Sequence, residues 1–292
     1  MATSSSSLSP SPHDTLTWRG FKTASLPDVP HWVELLGRAG YIAKGVVYFV
    51  VGYLAFQLAI GAGGQISGAR GAIREIGQQP FGRVLLGLIA IGLFGYTAWR
   101  LVQAGKDTEG DGTDAKGIVK RIGYVISGLS YVLLGFFAAS LALGIATSSG
   151  QSDAGQSFLL GALWGRAILG VVGVGVIGAG LAFGYKAYKA KFMEKYDLAA
   201  MSEKLRTVAL YSGRVGLATR GVAFLIIGGF LLNSAVQGAS GEEVTGIADA
   251  LAVIAAQSYG KVLLAVTGFG LMCYAVHSIM RGWFRVFNVS KV

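Results

Sequence analysis

None of the long apolar runs of this chain contains an aspartate or a glutamate. Proton- and cation-coupled transporters usually place an acid at mid-membrane, so the absence argues against that class. Proline is scarce too, and all five (Pro10, Pro12, Pro27, Pro30, Pro80) lie outside the apolar runs. Broken transport helices would have to rely on glycine alone. The single cysteine, Cys273, permits no internal disulfide and no cysteine-based metal cluster. Of the three histidines only His277 lies in an apolar run, so paired histidine haem ligation cannot be built within one chain. No metal and no cofactor is expected. The P-loop, zinc-protease and nucleophile-elbow patterns are missing, and no acid–base pair is visible, so an enzyme acting on a lipid ranks last among the readings. The first thirty residues hold no apolar h-region. A cleavable signal peptide is therefore not expected, and the first membrane helix must direct insertion.

What the chain does contain needs a second solvent. Hydrophobic residues make up 53% and charged residues 14%, against roughly 25% charged in an average soluble domain. The mean hydropathy is +0.56. Glycine reaches 45 of 292 residues, mostly inside the apolar runs, which points to close helix packing. The net charge of +10 does not imply nucleic acid, because the basic residues flank apolar runs, where membrane topology places them.

Six apolar runs, at about 40–60, 84–102, 122–146, 167–185, 215–236 and 262–280, each approach the ~20 residues that span a bilayer core. Backbone amides in lipid must be satisfied internally, so the runs are helices. A pattern recurs three times: Arg38, Gly40, Gly45, Tyr48, Gly52; Arg121, Gly123, Gly128, Tyr131, Gly135; Arg214, Gly216, Gly221, Phe224, Gly228. The intervening helices open on Phe81-Gly82-Arg83, Trp164-Gly165-Arg166 and Tyr259-Gly260-Lys261. The expected fold is thus an all-α polytopic membrane bundle of six transmembrane helices, built as three repeated helical hairpins in a pseudo-threefold arrangement. The hairpins are assigned to residues 31–105, 106–195 and 196–292, after a disordered polar tail over 1–30. The outer connections and adjoining helix ends hold only Arg70, Arg74, Arg83, Arg166 and Lys261 of the 25 Lys and Arg. The excess on the other side predicts a multi-pass protein of the cytoplasmic (inner) membrane with both termini cytoplasmic. Short amphipathic helices on the outer surface are expected around Ile66, Ile73 and Ile76 and around Ile247, Leu251 and Ile254. The lysine-rich 186–206 stretch reads as a helical extension drawn to anionic headgroups.

The threefold hairpin pattern resembles that of bacterial membrane proteins carrying the domain of unknown function numbered 1206, over about residues 36–285. The resemblance implies fold and membrane location and brings no activity with it. The middle copy departs from its neighbours: Ser127 stands where Lys44 and Arg220 stand. In the third copy Ala265 replaces the Gly87 and Gly170 position.

Two groups of residues are candidate functional positions. Gly45, Gly52, Gly128, Gly135, Gly221 and Gly228 share helix faces with the aromatic residues between them, and are assigned to helix packing. The glycines of the fourth run, Gly170 to Gly184, read as close helix contact in preference to an unwound ligand segment. Arg38, Lys44, Arg121, Arg214 and Arg220 are candidate ligands for lipid or another anion. The three arginines that open the first helices, like Arg83, Arg166 and Lys261 on their partners, sit where the macrodipole disfavours positive charge. Lipid phosphate is the expected compensation. Lys44 and Arg220 lie about 9 Å deeper by helix rise. Snorkelling to the headgroups is the first expectation for them, and an inward-facing pair that binds an anionic head or solute is the functional one. His277 reads as a packed residue and Asn233 as an interhelical hydrogen bonder. The function favoured by these residues is a non-enzymatic packing or partner-binding module contacting anionic lipids, with another membrane protein as a further candidate partner and nucleic acid excluded. The alternative is a small channel or carrier for an anion or an uncharged solute.

Overall fold

The computed structural model describes residues 31–106, 108, 114–145, 163–237 and 247–287. The 1–30 segment assigned to a disordered tail lies outside them. Six long helices carry the architecture: α1 (His31–Ala59), α3 (Gly82–Lys106), α4 (Ala115–Ala142), α5 (Leu163–Lys189), α6 (Glu203–Gln237) and α8 (Gly260–Phe284). All six are long and apolar enough to cross a membrane. Two short helices, α2 (Ala69–Gln78) and α7 (Ile247–Ala255), fill the links within the first and third hairpins. Their apolar stripes face the bundle. Ala72, Ile73 and Ile76 of α2 and Ala250, Leu251 and Ile254 of α7 are buried, so these helices cap the protein and do not float on its surface.

The helices contact one another in the order α4, α3, α1, α8, α6, α5. The closest seams join different hairpins, and one register serves all three. In the α1–α8 seam a Cβ on Gly45 would stand 2.9 Å from the Ala275 carbonyl, and one on Gly52 would stand 2.6 Å from that of Gly268. In the α6–α5 seam Gly221 meets Gly180 at 2.9 Å and Gly228 meets Gly173 at 2.9 Å in the same sense. The α4–α3 seam is wider. Gly128 is 3.4 Å from the Arg100 Cβ, Gly135 is 3.1 Å from the Phe94 ring, and Thr97 Oγ1 donates to the Gly128 carbonyl at 3.2 Å. Only glycine leaves room for backbones this close, which gives the repeated glycines their place in the pattern.

Within hairpins the outcome differs. In the first, Gly40 lies against the Tyr96 backbone, Gly92 against the Ala43 Cβ and Gly95 against the Leu36 carbonyl. In the third, Gly216 lies against the Tyr274 backbone and Gly270 against Thr219. The equivalent positions of the second hairpin are Gly123 on α4 and Gly175 and Gly178 on α5, and a Cβ on any of them would meet no described residue within 4 Å. Among the described residues α4 and α5 do not pack along their lengths. The helical ring is therefore closed on five sides and open on the sixth. The glycines of α5 divide accordingly: Gly173, Gly180 and Gly184 lie against α6, the Gly184 amide nitrogen 3.3 Å from where a Cβ on Gly221 would stand, while a Cβ on Gly175 or Gly178 would meet no described residue within 4 Å. The helix runs through all of them without unwinding.

The 186–206 stretch corrects the expectation of a helical extension. α5 stops at Lys189, because Ala190 takes a left-handed conformation at φ 51°. A 3-10 turn over Lys191–Lys195 follows. Tyr196 then pairs with Arg285 in a single bridge, and the amides of Asp197 and Val286 donate to the carbonyls of Phe284 and Lys195. Phe192, Tyr196 and Met201 are buried, so apolar burial overrides the pull of the lysines toward headgroups.

Candidate cation cluster at the bundle centre

Lys44 does not snorkel. It is 4% exposed, and its Nζ donates to the Tyr96 hydroxyl at 3.2 Å. The ammonium also lies 4.9 Å from the Tyr96 ring, 5.1 Å from Tyr131 and 5.3 Å from Tyr274, which brings it against α3, α4 and α8 at once. Arg220 is placed alike. Its guanidinium stands 4.8 Å from the Tyr274 ring, 5.1 Å from Phe183 and Phe224 and 5.3 Å from Tyr48, and it donates to the Tyr274 hydroxyl. The two bonds are equivalent under the repeat, since Tyr96 and Tyr274 lie at the same distance after Gly82 and Gly260. Each ties a cation on the first helix of a hairpin to a phenol on the second. In the second hairpin the corresponding pair is Ser127 and Ala179, which can form no such bond. The missing tie coincides with the open side of the ring.

A third cation joins through Tyr96. Arg100 donates to the Tyr96 hydroxyl from Nε at 2.9 Å and from Nη2 at 2.5 Å, and to Gln103 at 3.0 Å, while its guanidinium lies 5.2 Å from the Tyr124 ring of α4. One neutral oxygen thus receives hydrogen bonds from both Lys44 and Arg100. The ring faces attract these cations, by up to about 2 kcal/mol per desolvated contact. They carry no negative charge, and no acid lies in any apolar run to supply one. Arg100 and Arg220 are half-buried.

The other candidate cations fall elsewhere. Arg38 pairs with Glu34 at 2.6 Å and donates to the carbonyls of Gly282 at 3.1 Å, Trp283 at 2.6 Å and Arg285 at 3.3 Å. It thereby caps the C-terminal end of α8, where positive charge is favoured. Arg166 does the same for α6 through the carbonyls of Ala235 and Val236. For these two, protein carbonyls meet the guanidinium where lipid phosphate was expected. Arg121 is half-buried and Arg214 exposed. Asn233 accepts a hydrogen bond from Gln237 on its own helix at 2.7 Å. His277 is a packed residue: it is 1% exposed, with Nδ1 2.9 Å from the Tyr196 hydroxyl and its ring against Phe192. Burial pushes the Tyr196 phenol up, so it stays neutral at physiological pH.

Tyr48 and Tyr131 belong to the repeated sequence pattern, but Tyr96, Tyr124, Tyr274 and Arg100 were not singled out from the sequence. Tyr96 and Tyr274 carry a signal, the shared spacing from Gly82 and Gly260. Arg100 carries none, because its equivalents are Phe183 and Ser278.

Six helices long and apolar enough to cross a membrane, with the buried Lys44 and the half-buried Arg100 and Arg220 among them, define a multi-pass membrane protein. The chain matches the model of the Domain of Unknown Function (DUF1206) three times, over residues 39–107, 122–190 and 215–285, and it belongs to that family. It is also 32% identical over 260 residues, covering 89% of this chain and 94% of the relative, to the uncharacterized protein YxxB of Bacillus subtilis (strain 168). No solved structure gives a significant match.

Proposed function

We propose that this protein is a non-enzymatic module of the bacterial inner membrane, with both termini cytoplasmic, whose central cation cluster binds an anion. The observation that carries the proposal is the sharing of the Tyr96 hydroxyl by Lys44 and Arg100, beside Arg220, with no acid in any apolar run. Burying one unpaired charge costs several kcal/mol, and like charges brought together in a low dielectric raise that cost further. Ring faces and phenols offset part of it. A bound phosphate or carboxylate would supply the missing charge and accept charge-assisted hydrogen bonds from Lys44 and the guanidinium groups. The same cluster supports anionic-lipid contact more directly than the arginines at the helix starts, because Arg38 and Arg166 already have carbonyl partners.

The test compares wild type with a Lys44→Gln, Arg220→Gln double variant in detergent. Phosphatidylglycerol should raise the melting temperature of wild type, phosphatidylcholine should not, and the double variant should lose the response. An equal response from both proteins would remove the cluster from anion binding.

A further inference from the structure

We infer that the open side of the ring, between α4 and α5, admits a phospholipid whose anionic headgroup reaches Lys44, Arg100 and Arg220; the inference rests on the anion-binding reading above. The chain carries its own control. Gly92 and Gly95 of α3 and Gly270 of α8 each receive a neighbouring helix at contact distance. Gly175 and Gly178 occupy the same places on α5, with the same absence of a side chain, and receive no helix among the described residues. Gly123 of α4 is equally uncovered by any described residue, whereas its equivalents Gly40 and Gly216 lie against Tyr96 and Tyr274.

The two helices beside this gap also supply walls of the cation cluster. Tyr131 and Tyr124 of α4 lie beside Lys44 and Arg100, and Phe183 of α5 lies beside Arg220. An occupant must therefore be apolar along the glycine faces and anionic at the inner edge. A phospholipid has that division. A helix from a second copy would fit the glycines, but the apolar runs of this chain hold no Asp or Glu to meet the cations. A free anion would meet the cations but leave the glycine faces bare. Charge complementarity and the apolar gap together select the lipid.

The test uses the full chain with a Gly175→Leu, Gly178→Leu variant, which fills the gap where a Cβ meets no neighbour, and the Lys44→Gln, Arg220→Gln variant. A Gly175→Trp, Gly178→Trp variant repeats the first with more bulk. Retained phosphatidylglycerol is counted by native mass spectrometry, and thermal protection by inorganic phosphate is measured in parallel. The proposal expects the filled variants to retain about tenfold less phosphatidylglycerol than wild type while phosphate protection is kept. The charge variant should lose both. If the filled variants keep the lipid and the charge variant loses it, the lateral route is wrong and the anion site stands. Protection of wild type by phosphate with no retained phosphatidylglycerol would likewise overturn the lipid and keep the site. If no variant changes either readout, both readings fall.

Discussion

Tyr96 holds the largest share of the polar contacts at the centre. Its hydroxyl accepts from Lys44 and Arg100, and its ring meets Tyr41 at 5.2 Å and Tyr131 at 4.7 Å, both edge-on. Tyr96→Phe keeps the ring packing and deletes the acceptor shared by two cations. It should cost about 1–3 kcal/mol, since buried charged donors are left unmet. Tyr53→Phe removes an exposed hydroxyl bonded to Gln57 and should cost far less. Thermal unfolding of both variants in detergent checks the difference. A second residue-scale prediction concerns pH. The folded state holds the Tyr196 phenol above its ordinary value, mainly through burial. Its contribution is present below the unfolded value of about 10 and is lost as pH rises beyond it. Wild type should lose melting temperature above that pH more steeply than Tyr196→Phe, and parallel pH profiles would refute the role. At this scale the sequence pointed to Lys44 and Arg220 through their shared place in the repeat. It did not reveal their direction, because an apolar run flanked by headgroups permits both snorkelling and burial. Only the positions of Tyr96, Tyr131 and Tyr274 decide it.

Among the elements, the seam glycines are unequal. A Cβ at Gly45 would stand 2.6 Å from Ile279 and 2.9 Å from a carbonyl, and one at Gly221 would stand 2.9 Å from a carbonyl. At Gly128 the nearest atom is 3.4 Å away. Gly45→Ala and Gly221→Ala should each cost about 1–3 kcal/mol by overpacking, and Gly128→Ala close to nothing. Equal melting temperatures for the three would contradict the seam geometry. The open hairpin gives another prediction. Ser127→Lys with Ala179→Tyr installs the pair that ties the other hairpins, and spin labels on α4 and α5 should move closer together. An unchanged distance distribution would show that the tie does not govern closure. The six helices were legible because lipid allows few alternatives to a helix of this length and composition. The unpaired second hairpin was not legible. Its glycines look like those of a tight seam, and the difference lies in what faces them. Nor was the tuck at 190–202, where the lysines are conspicuous in sequence and the burial of Phe192, Tyr196 and Met201 decides the path.

For the whole molecule, the cation asymmetry predicts orientation. In a Cys273→Ser background, a cysteine at Ala62, exposed after α1, should react with an impermeant thiol reagent added to intact cells. One at Ser202, exposed before α6, should react only after permeabilisation. The reverse pattern would invert the assigned topology. Such a ring of three hairpins, all tied, would treat each third of its circumference alike. The replacement of one cation–phenol pair by Ser127 and Ala179 ends that equality. Three copies of one hairpin thus make a molecule with a front: on the lipid-binding proposal, it would address its surroundings from one bearing, and its ligand would be counted once per chain and not three times.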